Sequence, residues 1–423
     1  MDYRELVTWL ETPGTGKPRA QLEEFRSLMK LLGDPQDRLR FVHVTGSNGK
    51  GSICAMMAGI LQEAGYRTAL YTSPHLSVYN ERCLVNGEMI PDGDFFRLAE
   101  RVRALTEPSA FSWGMFYKMT AIGLLYFAEQ RCDIVVLEVG RGGSRDCTNL
   151  VEHTDLALIG HIGLEHTEVL GDTLAKIADQ KAGILKPGCS AVLYAQSEEV
   201  EQVVAARAAA LGCPLRITRP ELLEFISFDR SGQVMRYGKG EPFRLSLTGT
   251  YQLENAAVVL EGVRLLREKG WQLPDGTVRQ ALGKLYWPGR FEILREEPLI
   301  FGDGAHNSSA VEQLTACFRR YVPGQKLRFI LTLLWDRNWQ EMLDMLAPFA
   351  RDFIAVEVED HKALHAAELA GYIRESLHFP AVTADSEAEA LRLALSHEDG
   401  APVCVMGSIY LLGAIRDLLK EKA

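Results

Sequence analysis

Lys50, Gly51 and Ser52 close the run TGSNGKGS (45–52), which follows the apolar FVHV and leads into ICAMMAGILQEAG. A strand, turn and helix in this order can aim the backbone N–H groups of Gly46, Ser47, Asn48, Gly49, Lys50 and Gly51 inward at phosphate oxygens, while the helix N-terminus adds positive potential. Lys50 would then neutralise β/γ-phosphates, and Ser52 would hold Mg²⁺. The strict GxxxxGK[ST] spacing is not met, because Val44 stands where the first glycine belongs and Gly51 parts the lysine from the serine. A tight turn with a surface lysine is the plain alternative.

Glu138 ends the apolar run DIVVLEVG, where an acid is costly unless it meets a cation. Lys181, in AKIADQKAGILKPG, reads from composition as one more helix-face lysine, and Lys186 as a solvated one. Four segments combine glycine with polar groups just after a strand, where open parallel sheets place ligands. They are YTSPHLSVYNERCLVNGEMI (71–90), LEVGRGGSRDCTN (137–149), GLEHTEVLG to QKAGILKPG (163–188) and LTGTYQLENAA (247–257).

The elements that must carry these residues follow from periodicity. Strand-like runs alternate with helical patterns almost throughout, which predicts α/β architecture around parallel sheets. From about 214 to 250 the alternation lapses into shorter strands. KLYWPGRFEILREE, with Pro288 and Gly289, is the expected linker. Two domains are therefore expected, a P-loop-type parallel-sheet domain over 1–287 and a smaller, Rossmann-like α/β domain over 288–423. Neither opens on GxGxxG, which weighs against a nicotinamide enzyme.

A chain of 423 residues exceeds one ordinary core. Its net charge of −10, without long like-charge blocks, argues against wrapping a nucleic acid. Eight cysteines show neither CxxC pairs nor metal spacing and read as reduced core thiols. No apolar run reaches membrane-spanning length and no signal sequence opens the chain, so the expectation is a cytoplasmic protein with no membrane partner.

Taken in order, the four segments, the loop TGSNGKGS, and WPGRFE (287–292), DGAHN (303–307) and VMGSIYLLGAIR (405–416) resemble folylpolyglutamate synthases and dihydrofolate synthases of the ATP-dependent Mur ligase superfamily. The resemblance implies a monomeric ligase that uses ATP to join a folate-type carboxylate to L-glutamate through an acyl phosphate. It implies an ATP- and folate-binding first domain and a glutamate-ligase second domain. Dihydropteroate and reduced folates are both implied as acceptors. The alternatives are a folylpolyglutamate synthase only, a peptidoglycan-precursor ligase, or a nucleotide-binding regulator without ligation.

Residue by residue, the resemblance assigns one Mg²⁺ to Ser73, Glu138 and His166, with Ser52 on the ion bound to ATP. It makes Lys181 a carbamylated lysine near the metal, with Lys50, Lys181, His166 and His306 the catalytic set. Asn255 would contact adenine. Arg290 and Asp303 would reach ATP from the second domain, although Asp303 and Asn307 equally suit helix capping. His306 and Ser408 would meet glutamate. Asp146, His75 and Arg82 would line the folate cleft. Five departures from the family pattern are visible: Ser47 stands where threonine is usual, Glu165 where aspartate often precedes the histidine, WGMFYKMTA lacks a glutamate near Tyr117, LWDRNW replaces an aspartate-lysine-aspartate run, and Lys362 stands where arginine is frequent.

Overall fold

The computed structural model describes residues 2–14, 16–229, 231–358, 362–397 and 399–420. Its first sheet contains β1 (Phe41–Thr45), β2 (Thr68–Tyr71), β3 (Cys83–Val85), β4 (Glu88–Met89), β5 (Ile134–Glu138), β6 (Thr154–Ile159), β7 (Ser190–Leu193) and β8 (Leu215–Ile217), in spatial order 4-3-2-5-1-6-7-8. Strands β1, β2, β5, β6, β7 and β8 pair in parallel, while β3 and β4 add an antiparallel edge.

The near-continuous apolar runs are what a sheet covered on both faces requires. Phe41, Ala69, Tyr71, Val135 and Leu137 face a core built with the helices Tyr3–Glu11, Leu22–Leu31, Asp92–Thr106 and Met115–Glu129. Val42, Val44, Leu70, Ile134 and Val136 face the other way, against Lys50–Glu63, Thr250–Glu268 and Asp275–Lys284. Period-two alternation thus sorts each strand between two helical layers.

The segment that broke the alternation forms an antiparallel sheet of β9 (Leu223–Asp229), β10 (Gly232–Tyr237) and β11 (Phe243–Leu245). Buried Gln233 ties this sheet to its surroundings. Its Nε2 donates to the carbonyls of Leu247 and Gly249, and its Oε1 accepts from Tyr321 Oη at 2.8 Å.

The third sheet holds β12 (Glu292–Arg295), β13 (Ile300–Gly302), β14 (Leu327–Leu331), β15 (Ala350–Val356), β16 (Ala381–Ala384) and β17 (Val403–Met406), in order 12-13-17-14-15-16. All pairs are parallel except β12 with β13. The expected linker KLYWPGRFEILREE is thus only partly a linker. Its second half is an antiparallel strand that covers the β13 edge, which would otherwise expose unpaired amides. Among the described residues no helix is long and apolar enough to cross a membrane, and all eight cysteines are buried and unbridged.

Candidate active site at the interdomain cleft

The loop after β1 emerges between β5 and β6 at the carboxyl edge of the sheet, where strand order reverses and α/β proteins open a crevice. Gly49 lies in the left-handed region, with φ +82°, and caps the helix Lys50–Glu63. Thr45 Oγ1 donates to Gly142 O at 2.7 Å, and Ser47 Oγ accepts from Gly163 N at 3.0 Å, so the loop is stapled to the segments after both neighbouring strands. Ser47 N donates to His161 O, which corrects the expectation that every amide from Gly46 to Gly51 faces inward. Lys50 Nζ lies over the loop, donating to Gly46 O at 2.9 Å and Ser47 O at 3.2 Å.

Asn255 and Gln252 meet this loop from the helix Thr250–Glu268. Asn255 Nδ2 donates to Gln252 Oε1, and Gln252 Nε2 donates at 3.1 Å to Oγ of buried Ser52. A Cβ on Gly49 would collide with Asn255 Oδ1, while one on Gly51 would touch the Trp287 indole at 3.3 Å. Gly49→Ala therefore combines left-handed strain with a clash. It should lower stability by about 1–2 kcal/mol and weaken ADP binding, as read by thermal unfolding and calorimetry. An unchanged ADP affinity would remove the loop's proposed role.

Glu138, at the end of β5, is buried, and burial raises its pKa against the lowering influence of Lys50, the Ser73 amide, Arg290 and Arg82. Ser73 N donates to Glu138 Oε2 at 2.9 Å. Among the described residues no three His, Cys, Asp or Glu side chains converge to hold a metal. An ion here would draw on hydroxyls, water and phosphate oxygens as well, which is the habit of Mg²⁺. A buried carboxylate facing Lys50 and a serine fits that donor set.

Lys181, on the helix Leu174–Ala182, is 1 % exposed and pairs with Glu165 at 2.9 Å. This overturns the plain reading of a solvated helix-face lysine. Burial lowers its pKa to about 8, with Glu165 opposing and Lys50 adding to the shift. Burial alone would raise Glu165, but Lys50 and Lys181 outweigh it and hold the carboxyl at about 2. His166 adopts the left-handed conformation (φ +46°) beside this pair, and burial lowers its pKa. Lys186 is half-buried and donates to Asn149 O, contrary to the solvated reading.

Asp146 is buried and largely satisfied by its own loop. It accepts from Arg141 N, from Thr148 N and, at 2.7 Å, from Thr148 Oγ1. Thr148 Oγ1 lies 2.9 Å from Nε2 of His43, a fully buried histidine on β1. His75 accepts from Arg82 Nε at 3.0 Å and packs against Tyr79 with the rings tilted by 48°; burial and Arg82 lower its pKa to about 4.

From the second domain, Asn307 Nδ2 donates to Asn48 Oδ1 at 3.3 Å, and Asn48 Nδ2 donates to Ser309 Oγ at 3.2 Å, bringing DGAHN onto the phosphate loop. Of the two capping candidates, Asn307 caps the helix Ser308–Tyr321. Asp303 instead accepts from Tyr251 Oη, Phe291 N and Ala305 N, and these bonds brace the linker and its own loop. Arg290 Nη1 bonds Gly289 O and lies close to Gly304, while its charge bears on Glu138. His306 is exposed to the cleft; desolvation there lowers its pKa, Gly304 O at 2.8 Å from Nδ1 opposes this, and Arg337, Arg290 and Lys50 add to the lowering. Ser408 Oγ accepts from Tyr410 N at 3.2 Å at the start of the helix Ile409–Lys420.

Residues 289–409 match the family described as Mur ligase, glutamate ligase domain. Across the whole chain, a folylpolyglutamate synthase of Lacticaseibacillus casei is 32% identical over 431 residues, covering 99% of each chain. The chain belongs to the folylpolyglutamate synthase and dihydrofolate synthase family. A dihydrofolate synthase/folylpolyglutamate synthase of Bacillus subtilis (strain 168) is likewise 32% identical over 434 residues, covering 99% of each chain. The fold is similar to that of Mycobacterium tuberculosis folylpolyglutamate synthase complexed with ADP and AMPPCP, with TM-score 0.88 at 27% identity over 99% of this chain and 98% of that one.

Within this family setting, several residues of the site escaped sequence reasoning. Glu165 is the ion-pair partner of Lys181, yet in sequence it looked like a mere variant beside His166. Arg337, in the divergent LWDRNW, depresses both His166 and His306, so it stands among the cations of the cleft. Its Nε is buried without a hydrogen-bond partner among the described residues. The only sequence signal for it was the departure itself.

Proposed function

We propose that this chain is a MgATP-dependent ligase that joins L-glutamate to a folate-type carboxylate, acting on both dihydropteroate and reduced folates. The observation that carries the reading is the meeting of three parts at one cleft: a phosphate-type loop, the buried Glu138–Ser73 pair, and His306 brought in by the second domain through Asn307 and Asn48. The curated relatives named for these activities support it.

The chemistry needs positioning and charge neutralisation rather than a protein nucleophile. An acceptor carboxylate oxygen attacks the γ-phosphorus, the bond to the β-bridging oxygen breaks, and ADP departs. The glutamate nitrogen then attacks the acyl carbon, phosphate leaves, and the ammonium loses its proton. In this reading Lys50 and the amides from Gly46 to Gly51, other than that of Ser47, receive the triphosphate, Asn255 lies toward adenine, and Arg290 and Asp303 serve ATP from the second domain. Mg²⁺ held by Ser52, Ser73, Glu138 and His166 would supply further neutralisation of phosphate charge. Asp146, His75 and Arg82 bind the acceptor, and His306 and Ser408 bind glutamate. The reading also takes the chain as a cytoplasmic monomer divided near 287/288.

Lys181 is read as a carbamate. Its neutral amine would attack CO₂, releasing one proton and replacing a cation with an anion. Beside Glu165 the new anion would be repelled, so carbamylation and cation binding should favour each other.

Incorporation of labelled glutamate, with dihydropteroate, tetrahydrofolate and a polyglutamate offered separately, tests the whole reading. ATP-dependent amide formation on the first two acceptors is expected. ADP release without either acceptor or glutamate would instead mark a switch ATPase, and labelling of tetrahydrofolate alone would restrict the enzyme to folylpolyglutamate synthesis.

A further inference from the structure

The loop between β2 and β3 is tied to the first domain through Tyr79, which bonds Tyr3 and Glu11, and through Asn80, which bonds Ile90 O and Asp92, while its tip reaches the second domain. Glu81 accepts from the amides of Leu76, Ser77 and Val78 at 2.7–3.0 Å, so the carboxylate holds the turn together from inside. At its root, Ser73 N reaches Glu138, and Arg82 bonds His75.

At its tip, three consecutive residues lie on the last helix of the second domain, Ile409–Lys420. The His75 ring meets Tyr410 edge-on, with centroids 5.6 Å apart. The Leu76 carbonyl lies against Gly413, where a Cβ would come within 2.6 Å of its oxygen. Ser77 Oγ donates to Asp417 Oδ2 at 2.7 Å. Positions 410, 413 and 417 fall on one helical face. Gly413 is helical, so its lack of a side chain answers a need for close approach rather than for an unusual backbone conformation. Gly289 adds to the seat, since a Cβ there would meet Ile409 at 2.9 Å and Leu76 at 3.4 Å.

We propose that Tyr410, Gly413 and Asp417 are positioning residues for the first chemical step, seating the 73–82 loop so that Ser73, His75 and Arg82 are held against Glu138 and the acceptor. The second domain then serves acyl-phosphate formation as well as glutamate addition. This rests on the ligase reading above.

The test omits glutamate. Enzyme, MgATP and tetrahydrofolate are incubated with hydroxylamine, whose nitrogen displaces phosphate from the acyl phosphate to give a hydroxamate. Gly413→Ala is expected to lower the hydroxamate rate by about ten- to a hundredfold, the scale of a displacement of about 1 Å, with ADP affinity unchanged. Asp417→Ala should lower it less, and Asp417→Asn, which keeps an acceptor oxygen for Ser77, should restore it. A folded Gly413→Ala that traps at the parent rate and shows only a raised glutamate KM would overturn the proposal. If Gly413→Ala does not fold, the Asp417 pair decides: equal rates for Asp417→Ala and the parent enzyme would overturn it. No hydroxamate from the parent enzyme itself would refute the ligase reading instead.

Discussion

Lys50→Ala is expected to cut glutamate ligation by about 10²–10³-fold while leaving the chain folded. In the structure Lys50 Nζ bonds two carbonyls of its own loop, at a half-buried position. Losing such bonds costs about 1 kcal/mol each, too little to unfold a domain with cores this extensive. The catalytic cost is larger because ligation must bring a carboxylate up to a triphosphate. One cation about 4 Å away contributes about 4 kcal/mol at an effective dielectric of about 20. A second consequence separates this account from simple damage to the loop. Lys50 leads the influences that offset the burial-driven rise of Glu138, so removing it should push that carboxyl further up. The residual activity of Lys50→Ala should then show its acid limb at higher pH than the parent enzyme, measured as kcat/KM for the acceptor. Parent-level ligation would remove the phosphate-loop assignment, and an unmoved acid limb would remove Glu138 from the reaction.

Lys181→Ala should lose activity by a comparable factor, about 10²–10³-fold, with partial rescue by short carboxylic acids that supply the missing anion. A pKa near 8 makes the carbamate chemically accessible. At about pH 8 roughly half of such amines are neutral, against well under about 1 % for an ordinary lysine. Parent enzyme in CO₂-depleted buffer should therefore lose more activity at about pH 6.5 than at about pH 8.5, and bicarbonate should restore it. Activity indifferent to CO₂ at both pH values would refute the carbamate. Stability carries its own signature. The folded chain holds the Lys181 proton less tightly than the unfolded one, so raising the pH from about 8 toward 10.5 relieves a destabilising contribution. Glu165 has the opposite window, contributing above 4.5 and losing that contribution as pH falls toward 2. Lys181→Ala strands Glu165 beside Lys50 alone and should cost up to about 3–5 kcal/mol, whereas Lys181→Met combined with Glu165→Gln should be milder.

The βα alternation was legible because parallel strands buried on both faces must be largely apolar, and β1, β5, β6 and β14 are, with His43 and Arg328 as polar interruptions inside β1 and β14. The lapse after 214 was legible as short strands, but their attachment through Gln233 to Tyr321 was not, since nothing local marks a glutamine as a buried bracket. Among the candidate site residues, the glycine-rich loop stood out through its composition and its place between a strand and a helix, despite its irregular spacing. Lys181 did not, because the side of a helix that faces the core depends on what packs there, and its partner Glu165 comes from a different turn of chain. The same limit hid the chain from Asp146 through Thr148 to His43, which links a loop acid to the inside of the central strand.

Gly51, the residue that spoiled the ordinary phosphate-loop spacing, leaves room for the Trp287 indole to rest on the loop. Trp287 belongs to the connection between the sheets of the two domains, so one half-buried fluorophore touches the phosphate-type loop and the linker together. Its emission should report nucleotide loading without an attached dye, and subtracting the spectrum of a Trp287→Phe protein would isolate it from the other five tryptophans.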